Sequence, residues 1–255
     1  MLFGVIGGTG FYSLGESEYE RVQVGTRYGE VEVVRVPVGE AEVGFVARHG
    51  ADHSVPPHRV NYRAIIAALR ELGVRNILAS AAVGGIAESM PPGSLVLLTQ
   101  FLDFTHGRES TFFAGEDGEV KHVDMTEPYC PRLREEIWAA ADALDEQVIL
   151  GGTYACMQGP RFETPAEIRM LQALGADVVG MTNVPEVALA REAGICYAAT
   201  AVVTNWAAGV TAEPVKHEDV SEFMAQQASR VGALFAHVIA NHQDSDCACR
   251  AWAPA

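Results

Sequence analysis

The sequence predicts an α/β fold in a single domain, and three observations carry that prediction. Short runs rich in β-branched residues alternate along the chain with amphipathic stretches at helical spacing. No repeat or long linker interrupts the alternation. Apolar residues make up 49% of the 255 positions and charged residues only 20%, so a full core is available without staples and disorder is excluded.

Taken in order, Leu2–Ile6 reads as a buried strand running into the glycine turn Gly7-Gly8-Thr9-Gly10. Val31–Val38 and Glu42–Ala47 follow as strands around Gly39-Glu40, and Arg59–Leu72 as a helix closed by Gly73. Asn76–Ala81 and Leu95–Leu98 are strand-like, separated by Pro91-Pro92-Gly93. Pro131–Leu144 is a helix with proline in its first turn. Thr153–Met157 (strand), Pro165–Leu174 (helix), Val178–Met181 (strand), Pro185–Ala193 (helix) and Ile195–Thr204 (strand) continue the pattern. The last long helix spans about His217–Ala240, with Val220, Met224, Val231, Leu234 and Val238 at helical spacing. The domain is thus residues 1–240, and 241–255 is expected to be a polar, frayed tail.

Charge narrows the partners. Thirty-three acidic residues stand against 18 basic ones, a formal charge of −15, which repels polyanions and argues against nucleic acid. A few converging donors can still hold a small anion. The longest uncharged stretch, Ala193 to Ala212, carries Thr200, Thr204, Asn205 and two glycines, so it reads as a strand and loop and not as a membrane span. There is no basic segment before the first apolar run, and the five cysteines form no framework. A reducing, cytoplasmic setting is expected. Cys247 and Cys249 could pair in a strained disulfide or take a soft metal; two exposed thiols on a loose end is the preferred reading.

Four segments are candidates for holding one anion. Gly7–Gly10 can turn backbone N–H groups toward it, with Thr9 adding a hydroxyl, or can be a plain tight turn. The dinucleotide fingerprint fails because its third glycine falls on Ser13. Arg48-His49-Gly50 offers a guanidinium fork and an imidazole whose charge is adjustable near pH 7, unless it is a surface arginine beside a satisfied histidine. His53 and His58 lie close, but no metal is expected there, for want of ligand spacing. Ser80–Gly85 follows a buried strand with small residues that suit either a ligand or close packing. Thr182, before the helix at Pro185, is a cap or a phosphate hydroxyl.

The stretches Gln158-Gly159-Pro160-Arg161-Phe162-Glu163-Thr164-Pro165 and Val179-Gly180-Met181-Thr182-Asn183-Val184-Pro185-Glu186 resemble the purine-site segments of the trimeric purine nucleoside phosphorylase and methylthioadenosine phosphorylase family. Gly7–Gly10, Arg48-His49-Gly50 and Asn61-Tyr62-Arg63-Ala64 fit it in the same order, over about residues 2–240. The resemblance implies a mixed twisted β-sheet flanked by helices, assembled as a homotrimer or a dimer of trimers. It implies pentosyl transfer in purine salvage: phosphate attacks C1′ of a nucleoside through an oxocarbenium-like state, with inorganic phosphate as co-substrate and neither cofactor nor metal. Phosphate binding carries over to Thr9, Arg48, His49, the backbone at Ala81 and Ala82, and Thr182. Phe162 falls where an aromatic ring stacks on the base, Met181 covers the ribose, and Ala207 lines the substrate. His122 is implied to reach a neighbouring subunit's site.

Chemistry then separates the branches. A 6-oxopurine presents an N1–H donor and an O6 acceptor, and adenine the reverse. Ionised Glu163 accepts from N1–H, while Asn205 can donate to O6 and accept a proton arriving at N7. Glu163, Asn205 and His49 are therefore the catalytic candidates. The methylthioadenosine enzymes carry a small hydroxyl residue and an aspartate at the two base positions, so the chain departs from that pattern. Glu163 as a helix N-terminal acid and Asn205 as a turn residue are the structural alternatives. His217 falls near the sugar 5′ end, where it suits a 5′-hydroxyl, as in inosine or guanosine, or is a surface histidine. The expected activity is release of base and ribose 1-phosphate from inosine or guanosine; methylthioinosine or methylthioadenosine phosphorolysis is the alternative. A histidine phosphatase, suggested by Arg48-His49-Gly50, and a non-catalytic nucleoside-binding protein are more distant readings.

Overall fold

The computed structural model describes residues 1–9, 19–115 and 118–252; Gly10 and Ser13 lie outside them. Among the described residues, eleven strands form one mixed sheet: β1 (Phe3–Gly7), β2 (Glu20–Thr26), β3 (Gly29–Val38), β4 (Ala41–Ala47), β5 (Asn76–Gly85), β6 (Leu95–Leu97), β7 (Gln100–Phe104), β8 (Val148–Leu150), β9 (Thr153–Met157), β10 (Val178–Gly180) and β11 (Cys196–Trp206). Five helices pack on it: α1 (Tyr62–Glu71), α2 (Pro131–Ala143), α3 (Pro165–Ala173), α4 (Asn183–Glu192) and α5 (His217–Asn241). This is the mixed, helix-flanked sheet that the sequence implied. Among the described residues no helix is long and apolar enough to cross a membrane.

The strongest predictions rested on burial, and they hold. All five residues of β1 are buried, and β11 is buried through its first nine. Helix α1 starts later than predicted, because Pro57–Arg59 form a 3₁₀ turn and Asn61 caps the helix by accepting from the Ala64 N–H at 3.1 Å. Three strands were not anticipated. β2 and β7 are mostly exposed or half-buried, so their polar composition hides the two-residue period, and β8 has three residues.

β5 organises the molecule. One of its edges pairs in parallel with β11 along its whole length. Its other edge pairs in parallel with β1 from Asn76 to Ala79, then antiparallel with β10 at Gly84 and Gly85. Between these two partners, residues 80–83 face neither strand, and the sheet opens there. The segment Ser80–Gly85 is consequently part of β5 itself and not a loop after it, which corrects the sequence reading. Ligands in α/β sheets collect at such a switch of neighbours.

The tail is also corrected. Residues 248–252 form a 3₁₀ turn, Cys249 is buried, and Cys247 is half-buried. Asp244 ion-pairs with Arg75 at 2.6 Å, and the His242 ring reaches Glu136 at 2.8 Å. The segment is polar in composition, but its described residues, up to 252, include two thiols and a histidine that pack against the body.

Candidate active site

A cavity of about 480 Å³ opens at the gap beside β5. Its floor is a buried charge pair. Arg48, at the end of β4, sends Nε and Nη2 to the two carboxylate oxygens of Glu186 at 2.6 Å each, and Nη1 to the Ser80 carbonyl at 3.0 Å. Both side chains are fully buried. Burial works against the charge on Arg48, but the Glu186 carboxylate outweighs it and holds the guanidinium protonated above its ordinary range. Tyr197 donates its hydroxyl to the same carboxylate at 2.6 Å. The fork that the sequence assigned to phosphate is therefore engaged by Glu186, which leaves one hydrogen on each Nη unengaged beside the cavity.

Gly8 donates its N–H to Ser80 Oγ at 3.1 Å. A Cβ there would lie 2.9 Å from the Ser80 carbonyl oxygen and 3.1 Å from Arg48 Nη1, so this close approach requires glycine. Thr9 follows on the cavity wall. Ser80 presents its carbonyl to the opening, whereas Val83 presents its own to β11, where Thr204 Oγ1 lies at 3.2 Å. Backbone groups alternate edges along a strand, so Ala82 turns its N–H to the opening. Ala81 turns its own toward β11, and contributes wall and not a donor; that part of the expected backbone cradle is corrected. Thr182 stands at the N-cap position of α4 yet makes no capping bond, and its side chain lines the cavity. Of its two sequence readings, the cap is eliminated.

His49 is buried, and its Nδ1 lies 2.8 Å from the Val55 carbonyl. A carbonyl only accepts, so Nδ1 carries the proton and Nε2 is left as an acceptor. Burial, and then the Arg48 charge, pushes its pKa down to about 4. The adjustable charge near pH 7 expected from sequence is thus absent: His49 is a neutral acceptor at that pH, suited to a protonated phosphate oxygen.

Phe162, Glu163, Met181, Asn205 and Ala207 also line the cavity. Glu163 lies just before the capping box of α3, in which Thr164 caps and Glu167 returns the bond. The helix-terminal role thus belongs to Glu167, and Glu163 is free of it. Burial, its largest influence, pushes the Glu163 carboxyl up to about 7, and Oε1 has no hydrogen-bond partner. Glu163 lines the cavity, and a desolvated carboxylate with an unpartnered oxygen calls for a donor. Asn205 sits where the pairing of β11 with β5 slips a register after Val203, a bulge that re-aims its side chain. Its Oδ1 accepts from Thr204 at 2.7 Å and its Nδ2 donates to the Trp206 carbonyl at 2.7 Å, leaving one amide hydrogen and one lone pair for a ligand.

His217 opens α5 and lines the cavity, stacked at 5.4 Å on His53, which in turn lies 4.6 Å from the His49 ring. Val215 and Val220 flank it. His122 is exposed and is not part of this wall.

A family model described as the phosphorylase superfamily matches residues 3–240. The chain belongs to the phosphorylase superfamily. Its relatives within that superfamily include a probable 6-oxopurine nucleoside phosphorylase of Dictyoglomus turgidum, 49% identical over 252 residues, covering 98% of this chain and 95% of that one. A probable S-methyl-5′-thioinosine phosphorylase of Methanopyrus kandleri is 54% identical over 208 residues, covering 81% and 79%. Among solved structures, methylthioadenosine phosphorylase from Schistosoma mansoni in complex with adenine superposes with a TM-score of 0.88 at 35% identity, covering 94% and 91%.

In this member of the superfamily, the structure brings every named site residue except His122 to one cavity. Four residues that hold the site together were given no individual role from sequence. Glu186 was quoted only within a segment resembling the purine site and at a helix start, Ser80 only as the first residue of a candidate anion segment, and Tyr197 only as part of a strand. Arg108 donates to the carbonyls of Met181, Val184, Met157 and Gln158 at 2.7–3.4 Å and to the Tyr62 hydroxyl at 3.2 Å. It thereby fastens the segments at residues 157–158 and 181–184 to each other beside the cavity. Its sequence neighbourhood, His106-Gly107-Arg108-Glu109, gives no sign of this. A lone arginine in a run of half-exposed residues is legible only by what surrounds it in space.

Proposed function

We propose that this chain is a purine nucleoside phosphorylase that cleaves 6-oxopurine nucleosides, inosine or guanosine, with inorganic phosphate, releasing the free base and ribose 1-phosphate. The observation that carries the reading is Glu163: a desolvated carboxyl with an unpartnered oxygen, across one cavity from the Arg48, Thr182 and Ala82 donors. A carboxylate accepts from N1–H and repels the N1 lone pair of adenine. Asn205 faces the same space with one donor and one acceptor free, the pair that O6 and N7–H require. The name of the Dictyoglomus relative supports the same substrate class.

Phosphate would sit between the remaining Nη hydrogens of Arg48, the Ala82 N–H and the hydroxyls of Thr9 and Thr182, with His49 Nε2 accepting its proton. No metal or cofactor enters this scheme. Positioning and charge stabilisation supply the rate. The reading extends to a cytoplasmic homotrimer, in which exposed His122 would complete a neighbour's site; that extension rests on the family resemblance alone.

A second reading keeps the base and changes the sugar. The Methanopyrus relative is named for methylthioinosine, and Val215 and Val220 give the wall around His217 an apolar component. The test is phosphate-dependent base release from inosine, guanosine, methylthioinosine and methylthioadenosine measured side by side. Preference for inosine or guanosine is expected. Preference for methylthioinosine moves the proposal to the second reading, and preference for methylthioadenosine overturns the role given to Glu163.

A further inference from the structure

Four of the five cysteines converge far from the cavity. Cys130 stands at the N-cap position of α2 without a capping bond, Cys196 begins β11, and Cys247 and Cys249 lie in the segment after α5. Their sulfur atoms all lie within 4.8 Å of one another, and those of Cys130 and Cys247 are 3.6 Å apart. Zinc bound to four thiolates at about 2.3 Å sets its ligand sulfurs about 3.8 Å apart. The four thiols are free, not joined as disulfides.

The surroundings are as informative as the sulfurs. Two guanidinium groups point at the cluster: Arg191 Nη1 lies 3.0 Å from Cys249 Sγ, and Arg132 Nη2 lies 3.5 Å from Cys196 Sγ. Arg191 is buried, and its Nε donates to the Asp124 carbonyl, a neutral partner. A divalent cation held by four thiolates carries a net charge of −2, which Arg191 would offset in part, while Arg132, shared with Glu136 at 3.0 Å, adds a hydrogen bond to sulfur. Disulfide sulfurs carry no charge for these groups to meet.

We propose that Cys130, Cys196, Cys247 and Cys249 form a closed tetrahedral site for zinc, which fixes the last segment of the chain to the ends of α2 and β11. Binding displaces four thiol protons and leaves no position open, so the site is structural and not catalytic. It lies at the start of β11 while Asn205 lies near its end, roughly 30 Å away at the rise of a strand. The single residue between Cys247 and Cys249 is a shorter spacing than most zinc sites use. The 3₁₀ turn that begins at Ala248 brings both sulfurs to the same point. The proposal replaces the sequence expectation of two exposed thiols and no metal.

The test is elemental analysis of the whole chain purified under reducing conditions without chelator, together with thiol titration in denaturant. About one zinc per chain is expected, with all five thiols titratable once the metal is chelated. Cobalt in place of zinc should give the intense charge-transfer and ligand-field absorption of a tetrahedral thiolate site. The Cys247→Ser, Cys249→Ser double variant should lose both the metal and the cobalt spectrum while phosphorolysis persists. Should that variant fail to fold, the metal content and cobalt spectrum of the unaltered chain still decide. Five free thiols with no retained zinc and no cobalt spectrum would overturn the proposal. So would one free thiol per chain without reductant, since the other four would then be paired as disulfides.

Discussion

If Glu163 selects the base, selection must depend on pH in a way no other group in the cavity can imitate. Ionised, the carboxylate accepts from N1–H of a 6-oxopurine; protonated, it donates to N1 of adenine. Burial places the midpoint at about 7, so the populations exchange within an accessible range. kcat/KM reports the free enzyme, and the ratio of its values for inosine and adenosine cancels the titration of phosphate and of the histidines. One substrate follows the ionised fraction and the other the protonated fraction, so the ratio should rise by about 100-fold between pH 6 and pH 8, about tenfold per pH unit. The Glu163→Gln variant has no proton to exchange and should show a flat ratio. A linked stability effect follows. The carboxyl is raised in the folded chain, so its ionisation opposes folding: nothing is lost below about 4.5, the loss grows to pH 7, and above that it is complete at about 3 kcal/mol. Glu163→Gln should therefore melt higher than the parent at pH 8 and no higher at pH 4. Discontinuous phosphorolysis assays and thermal melts suffice. A flat ratio in the parent, or an equal slope in the variant, would refute the assignment of Glu163 to N1.

Three further outcomes are expected. Glu186→Gln leaves Arg48 as an unpaired buried charge, a loss of about 3–5 kcal/mol of stability. Saturating phosphate should recover part of it, so that phosphate raises the melting temperature more in the variant than in the parent; equal shifts would separate the pair from the anion site. Asn205→Asp removes the donor to O6 and should shift the inosine-to-adenosine ratio toward adenosine by roughly 10- to 100-fold, on the scale of one hydrogen bond to a charged group; an unchanged ratio removes Asn205 from the base site. His217→Val should weaken inosine cleavage more than methylthioinosine cleavage, and equal losses would assign His217 to the stack with His53.

What could be seen in the sequence followed what burial imposes on composition. Continuous apolar runs such as Phe3–Gly7 and the first nine residues of β11 have no other use than a central strand, and they were found with their boundaries nearly right. Edge strands such as β2 expose most of their residues, so little in their composition distinguishes them from loops. The site shows the same division. Segments with unusual local composition were read as candidates, and of these Gly8, Thr9, Arg48, His49, Met181 and Thr182 line one cavity, because small residues and donors stand close together there in the chain. What was missed acts across the chain. Glu186 is 138 positions from Arg48, and the four sulfurs come from three separate regions. The tail misled for a related reason: composition reports average polarity, whereas packing was decided by Cys249 and His242.

Under the proposed function, the charge balance of the cavity would explain how a chain of net charge −15 handles phosphate. Arg48 is neutralised by Glu186, and His49 is neutral at pH 7, so the phosphate end offers directed hydrogen bonds with little net positive charge. A phosphate dianion held there keeps most of its field. That field acts on C1′ of the sugar, where the resemblance places developing positive charge. A site with free cations would bind phosphate more tightly in the ground state and spend the attraction before the sugar could use it. Fixed dipoles that are already oriented cost no reorganisation when the charge appears. The Glu186 carboxylate, invisible as a functional group in the sequence, thus does more than hold an arginine in place. In the proposed reaction it would keep the pocket neutral, so that the electrostatic gain falls in the transition state.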